Sequence, residues 1–239
     1  MASSGGLPFS GRLGNLVFFQ AKGKTFVRTW PSEIKQTKAT KASAKVFGRA
    51  SAIGAALRKQ LLPALSLEPD NRIQTGFAAA IAKWLRAKEN GIMEPESALS
   101  YIRNFQFTEG PSLYERWNPN WIFYNPSPGL LEMKLPEFIP AKSISAPAHT
   151  VSVICNIVAA RCYMEKGKTV GNAVSTKLTI EYNDKPVPAQ TISLKFPAPK
   201  SGLVVAAVSL TYMVLKSGYE QISKSKGFRP AAVVSAMYL

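Results

Sequence analysis

The segment at residues 11–30, GRLGNLVFFQAKGKTFVRTW, constrains the fold more than any other part of the chain. LVFFQ and TFVRTW are rich in β-branched and aromatic residues, and the AKGK between them contains the glycine that a tight turn requires. The pattern therefore predicts a β-hairpin. With Lys22 and Gly23 at the centre of the turn, the expected cross-strand pairs are Phe19 with Phe26, Phe18 with Val27, and Val17 with Arg28.

Neither face of this hairpin is polar. Strand side chains alternate between faces, so Phe18 and Phe19 point to opposite sides and both sides carry apolar residues. A two-stranded ribbon is marginal in water by itself, and each of its faces therefore needs a covering layer. We expect one face to pack on the chain's own domain and the other to enter a neighbouring subunit. The candidate assembly residues are Phe18, Phe19, Phe26 and Trp30.

Positive charge is concentrated at the N-terminus. The first 60 residues contain 11 Lys or Arg and one acid, Glu33, and the whole chain has a formal net charge of +16. Such an imbalance indicates a polyanionic partner, either a nucleic-acid backbone or an acidic surface on a neighbouring subunit. The candidate polyanion-binding residues are Lys22, Lys24, Arg28, Lys38, Lys41, Lys45, Arg49 and Lys59.

Two amphipathic helices are predicted after the hairpin. TKATKASAKVFGRASAIGAALRKQLL has apolar residues at three- and four-residue spacing from Val46 to Leu61, with lysines on the opposite arc, and should end at Pro63. A second helix should run from about Pro69-Asp70 to Lys88, and PESALSYIRNF predicts a shorter one. The residues expected to be buried in the second helix are Ile73, Phe77, Ile81, Trp84 and Leu85.

The C-terminal part is predicted to be β-rich. TKLTIEYN and QTISLKFP alternate between apolar and polar residues, with a turn at 183–185 between them, and four further segments are typical of strands. These segments are GLLEMKLPEF, TVSVICNIVAARCYM, LVVAAVSLTYMVL and AAVVSAMYL, the last running to Leu239. Six prolines between residues 118 and 147 indicate a boundary or an irregular wrap.

The predicted fold class is α+β. A basic N-terminal β-hairpin and helical region, residues 1–125, would be followed by an antiparallel β-sandwich of immunoglobulin or fibronectin type, residues 126–239. No apolar run reaches the roughly 18 residues of a membrane span, and the N-terminus lacks the pattern of a secretory signal. We therefore expect synthesis in the cytoplasm, and release as part of an extracellular particle stays open.

Catalytic chemistry is not indicated. His149 is the only histidine, so a catalytic Ser-His or Cys-His dyad is not indicated and a multi-histidine metal site is excluded. We expect His149 to lie at the entrance to a strand. Cys155 and Cys162 fall in one strand at about 3.3 Å per residue, too far apart for a disulfide, and are expected to be buried thiols. We expect no enzymatic activity, no cofactor and no metal.

The hairpin sequence resembles a family of uncharacterised proteins encoded by bacteria of the Bacteroidetes group. The shared pattern is G-x-x-G-x-x-V-x-x-x-x-x-G-K-x-x-V-R-x-x-P, and the rest of the chain is similar only in layout. The resemblance implies a fold and no chemistry. The matching residues are Gly11, Gly14, Val17, Gly23, Lys24, Val27, Arg28 and Pro31.

Two functions remain open. The first is a non-enzymatic structural subunit that assembles with copies of itself into a filament, a ring or a virion-like or tail-like particle, through its hairpin and its strand edges. The second is nucleic-acid binding through the basic N-terminal region. The aromatic residues of the hairpin alternate with aliphatic ones as packed strands do, which favours the first.

Overall fold

The computed structural model describes residues 2–4, 10–30, 36–67, 71–91, 93–127, 129–165, 168–196 and 201–238. Some residues named in the predictions above lie outside these ranges, namely Pro31, Glu33, Pro69-Asp70 and Leu239. The contacts divide the chain into two compact units, residues 1–43 and 44–239. The boundary expected between residues 125 and 126 stays a prediction, because compactness of the second unit does not say which of its parts fold independently.

The first unit contains a four-stranded antiparallel sheet with the strand order β1-β4-β3-β2. Its strands are β1 (Ala2–Ser4), β2 (Gly11–Leu13), β3 (Leu16–Ala21) and β4 (Lys24–Thr29). The β3–β4 register confirms the predicted hairpin. Phe19 pairs with Phe26, Phe18 with Val27, and Val17 with Arg28.

The turn of this hairpin has positive φ at both central residues, 50° at Lys22 and 73° at Gly23. These values are those of a type I′ turn, whose twist matches the right-handed twist of the flanking strands. Gly23 adopts this conformation without steric cost, whereas Lys22 is held in it by the pairing on either side. Two short strands, β1 and β2, extend the hairpin into a sheet and were not predicted from the sequence.

The two long helices follow the predicted pattern closely, whereas two short helices between residues 113 and 143 were not predicted. Their bounds are α1 (Lys38–Ala64), α2 (Asn71–Glu89), α3 (Pro95–Ala98), α4 (Leu113–Arg116) and α5 (Pro140–Ser143), with 3₁₀ turns at Leu99–Tyr101 and Lys226–Phe228. Ala50, Leu57 and Leu61 of α1 are buried, and so are all five residues predicted for α2. Helix α1 continues one residue beyond Pro63, because a proline in the last turn removes a single hydrogen bond.

The second unit contains two antiparallel sheets. Its strands are β5 (Ile122–Ser127), β6 (Leu130–Leu135), β7 (Thr150–Glu165), β8 (Lys168–Glu181), β9 (Gln190–Lys195), β10 (Leu203–Lys216), β11 (Tyr219–Ile222) and β12 (Ala231–Tyr238). In the five-stranded sheet, β7 separates β8 from β10, and both β11 and β12 pair with the far side of β10. The three-stranded sheet has the order β5-β6-β9.

Alternate residues of the long strands enter two different hydrophobic cores. Val158 and Cys162 of β7 pack in a core with α1 and α2. Cys155 and Ile157, which point to the opposite face, pack in a core with β6 and β9. The five-stranded sheet is therefore covered by helices on one face and by the small sheet on the other, which explains why β7 and β10 are apolar on both faces.

The mixed helix and sheet content and the antiparallel sheets are confirmed. An immunoglobulin-like or fibronectin-like sandwich is not confirmed, since helices cover one face of the larger sheet. The alternation of TKLTIEYN and QTISLKFP is also confirmed, but the turn at 183–185 sends β8 and β9 into different sheets. Residues 118–147 were expected to form a boundary or an irregular wrap, apart from a strand in GLLEMKLPEF. They contain that strand as β6 and, in addition, β5 and α5.

A buried polar chain ties the end of α1 to the five-stranded sheet. Asn156 Nδ2 donates to Ser209 Oγ over 3.2 Å, and Ser209 Oγ donates to the Leu65 carbonyl over 2.9 Å. Asn156 and Ser209 are both buried. The hydroxyl thus satisfies two groups that would otherwise lie in an apolar core without a partner.

Ser209→Ala should lower the free energy of unfolding by about 1–3 kcal/mol, because it leaves a buried carbonyl and a buried amide N–H unsatisfied. Chemical denaturation monitored by circular dichroism measures this difference. The matched control is Ser175→Ala on the exposed side of β8, which should change stability by less than about 0.5 kcal/mol. Equal stability of the two variants would contradict the structural role of Ser209.

Candidate assembly and polyanion-binding surfaces

The sheet of the first unit presents two chemically different faces. Directly paired residues of antiparallel strands lie on the same face, so the register assigns each side chain. The aliphatic face carries four apolar residues, Leu13, Leu16, Phe18 and Val27, together with Gln20, Thr25 and Thr29. The arginine face carries Arg12, Val17, Phe19, Ala21, Lys24, Phe26, Arg28 and Trp30.

On the arginine face, aromatic rings and guanidinium groups contact each other. The rings of Phe19 and Phe26 stack with their centroids 5.7 Å apart, and the Arg28 guanidinium lies 5.8 Å from the Phe19 centroid. The Arg12 guanidinium lies 4.7 Å from the Trp30 ring, and its Nε donates to the Gly14 carbonyl over 2.8 Å. Contacts of this kind hold a cation over a ring and leave its outer side available for an anion.

The aliphatic face exposes more apolar surface. Leu13 is 71% exposed and Leu16 is 38% exposed, and these two residues pair across the turn at Gly14 and Asn15. Phe18 and Val27 are half-buried. Exposed leucines beside a half-buried phenylalanine form an apolar patch on this face.

The structure divides the assembly residues predicted from the sequence. Phe18 lies on the aliphatic face, whereas Phe19, Phe26 and Trp30 lie on the arginine face. Leu13 and Arg12 belong to β2, which was not predicted, and they were therefore absent from both predicted sets of residues. The signal in the sequence for a second turn before the hairpin was the GRLGN segment, in which Gly11 and Gly14 flank Arg12 and Leu13.

The basic residues lie at the turn and along α1. Lys22 and Lys24 are exposed at the tip of the hairpin. On α1, Lys38 and Lys41 belong to the first unit, and Lys45, Arg49 and Lys59 to the second. All five are exposed at helical spacing on one arc, and Arg49 forms an ion pair with Glu89 of α2. Within the described ranges, the other four form no ion pair.

The groups with catalytic potential are dispersed. Both thiols are buried and free, as expected, and burial raises their pKa values, that of Cys162 to about 11. His149 lies in the turn before β7, as expected, with a φ of 60°. Among the described residues, no three His, Cys, Asp or Glu side chains come together as a metal site would need, and no helix is long and apolar enough to cross a membrane.

Comparison with known proteins adds no further information. No protein-family model, no curated protein and no solved structure matches the chain. The hairpin's resemblance to the Bacteroidetes family therefore stays a resemblance.

Proposed function

We propose that the chain is a structural subunit that assembles with copies of itself through the N-terminal sheet. The observation that carries this proposal is the exposure of Leu13 and Leu16 on the aliphatic face of a sheet whose described strands form one layer. Burying a large apolar side chain contributes about 1.5–3 kcal/mol. A contact repeated between identical subunits gives a ring if it closes and a filament if it does not.

Open strand edges also support assembly. Strand β2 pairs with only Leu16, Val17 and Phe18 of β3, so among the described residues the outer edge of β3 has no strand partner from Phe19 onward. In the second unit, β11 is exposed along its whole length and carries Tyr219 and Ile222, which are 78% and 54% exposed. Unpaired edges are templates for strand addition by another chain.

Charge opposes this association and gives it a characteristic salt dependence. Each chain has a formal net charge of +16, so copies repel one another at low ionic strength. Salt screens that repulsion, while apolar contacts are not weakened by it. Self-assembly through the aliphatic face should therefore increase with salt concentration, whereas polyanion binding should decrease.

We expect Leu13→Ser and Leu16→Ser to abolish salt-promoted assembly, measured by light scattering, while the thermal unfolding of the chain is preserved, because both leucines are exposed. Phe19→Ser should instead lower the melting temperature, because it removes the stacking with Phe26 inside the arginine face. The control is Tyr101→Ser, which removes an aromatic ring that is 42% exposed in the second unit and should leave assembly unchanged. A parent protein that stays monomeric at every salt concentration would refute the proposal.

Nucleic-acid binding is the second candidate function. The arginine face supports this function, because its cations lie over the rings of Phe19 and Trp30. The lysines of α1 also support it, because they form no ion pair within the described part of the chain. Aromatic rings with cations beside them are the elements by which proteins bind single strands. Within the N-terminal sheet, assembly and nucleic-acid binding would use opposite faces.

Replacing Lys38, Lys41 and Lys45 together with Gln should weaken binding to mixed-sequence DNA. The magnitude of the slope of log K against log salt concentration should fall by up to about 2.7, because fewer counterions are released on binding when three phosphate contacts are lost. The control replaces Lys142, Lys177 and Lys195 with Gln, which changes the net charge equally at exposed positions of the second unit. If both triple variants have the slope of the parent, the basic stripe of α1 does not bind nucleic acid.

A further inference from the structure

The second unit contains a cavity that the proposed function does not use. It has a volume of about 630 Å³ and opens between α1, α2 and one end of the five-stranded sheet. This volume lies in the range of cavities that hold small molecules, roughly 300–1,000 Å³. Its residues come from two helices and from strands β7, β8, β10 and β12, all within the described ranges.

The inner wall of the cavity is apolar. It is lined by Ile53 of α1, Leu85 of α2 and Leu203 of β10, with Trp84 beside them. Leu85 and Leu203 belong to the helix-side hydrophobic core, and Ile53 packs against it. An apolar wall of this kind favours the aliphatic or aromatic part of a ligand.

The rim of the cavity is cationic. Lys88 lies with its Nζ 4.7 Å from the Tyr238 ring centroid and 5.6 Å from that of Trp84, and it forms no ion pair with any described residue. The only rim carboxylate in the described chain, Glu89, is already paired with Arg49. The rim therefore retains an excess of positive charge.

We propose that this cavity binds an aliphatic monocarboxylate, with its carboxylate accepting hydrogen bonds from the Lys88 ammonium and its hydrocarbon chain on the apolar wall. A cationic ligand would be repelled at the rim, and a neutral one would leave the ammonium without a counterion. An aliphatic body is chosen because Ala52 and Ile53, which line the cavity and remain accessible, are aliphatic, while Leu85 and Leu203 form the buried floor beneath them.

Decanoate is a suitable probe, with decanol as its uncharged counterpart and shorter fatty acids as a length series. Calorimetric titration should give one saturable site per chain for decanoate, with affinity rising about fourfold for each added methylene until the chain fills the cavity. Decanol should bind roughly tenfold more weakly, because it lacks the charge-assisted hydrogen bond. Absence of saturable binding below the concentration at which decanoate forms micelles would overturn the proposal.

Lys88→Gln should weaken decanoate binding roughly tenfold and leave decanol binding unchanged. The matched control is Lys83→Gln, which removes the same charge from an exposed position of α2 outside the cavity. If the two variants weaken decanoate binding equally, only the overall charge of the chain is involved, and the assignment of Lys88 is wrong.

Gly48→Leu tests the cavity itself. Gly48 lines the cavity, and a Cβ at this position would meet no atom within 4 Å, so a leucine can enter the space without displacing the backbone. Leucine also favours a helix more than glycine does, so the melting temperature should be preserved or raised. Loss of decanoate binding in this folded variant supports the site. Unchanged binding would place the ligand elsewhere and overturn the proposal.

Discussion

The second unit depends on the burial of two long strands, β7 and β10, that are apolar on both faces. Such strands are stable only between two covering layers, since each large apolar side chain left in water would lose the roughly 1.5–3 kcal/mol of stabilisation that burial provides. Helices α1 and α2 cover one face, and β6 and β9 cover the other. Loss of either layer would expose half of the apolar residues of both strands, so the helices and the sheets stabilise one another.

The first unit has the same requirement and meets it differently. Its hairpin is also apolar on both faces, but the described residues of the unit form only one layer. On the arginine face, guanidinium groups lie over the aromatic rings and shield them in part. On the aliphatic face, Leu13 and Leu16 remain exposed. In the proposed assembly, a second copy of the chain would supply the layer that helices supply in the second unit.

The helical layer also lines part of the cavity, and glycines in the helices and strands influence its shape. Gly48 leaves space on α1, while Gly202 lies so close to β7 that a Cβ there would be 2.3 Å from the Cys162 carbonyl oxygen. A similar approach joins α1 to β8, where a Cβ on Gly171 would lie 2.8 Å from the Ala56 carbonyl oxygen. In the sequence, Gly48 simply falls near the polar arc of an amphipathic helix, so nothing in its surroundings indicates a cavity wall.

The sequence by itself determined the features that depend on neighbours along the chain. These are the β3–β4 register, the buried faces of α1 and α2, and the two-sided apolar character of β7 and β10. Each of them follows from residue spacing and turn chemistry, which are local. Only the tertiary structure decided that β8 and β9 enter different sheets, that Leu13 joins Phe18 on one face, and that Lys88 meets Tyr238 at a cavity rim. These features arise from pairing and packing between elements whose individual periodic patterns are compatible with several partners.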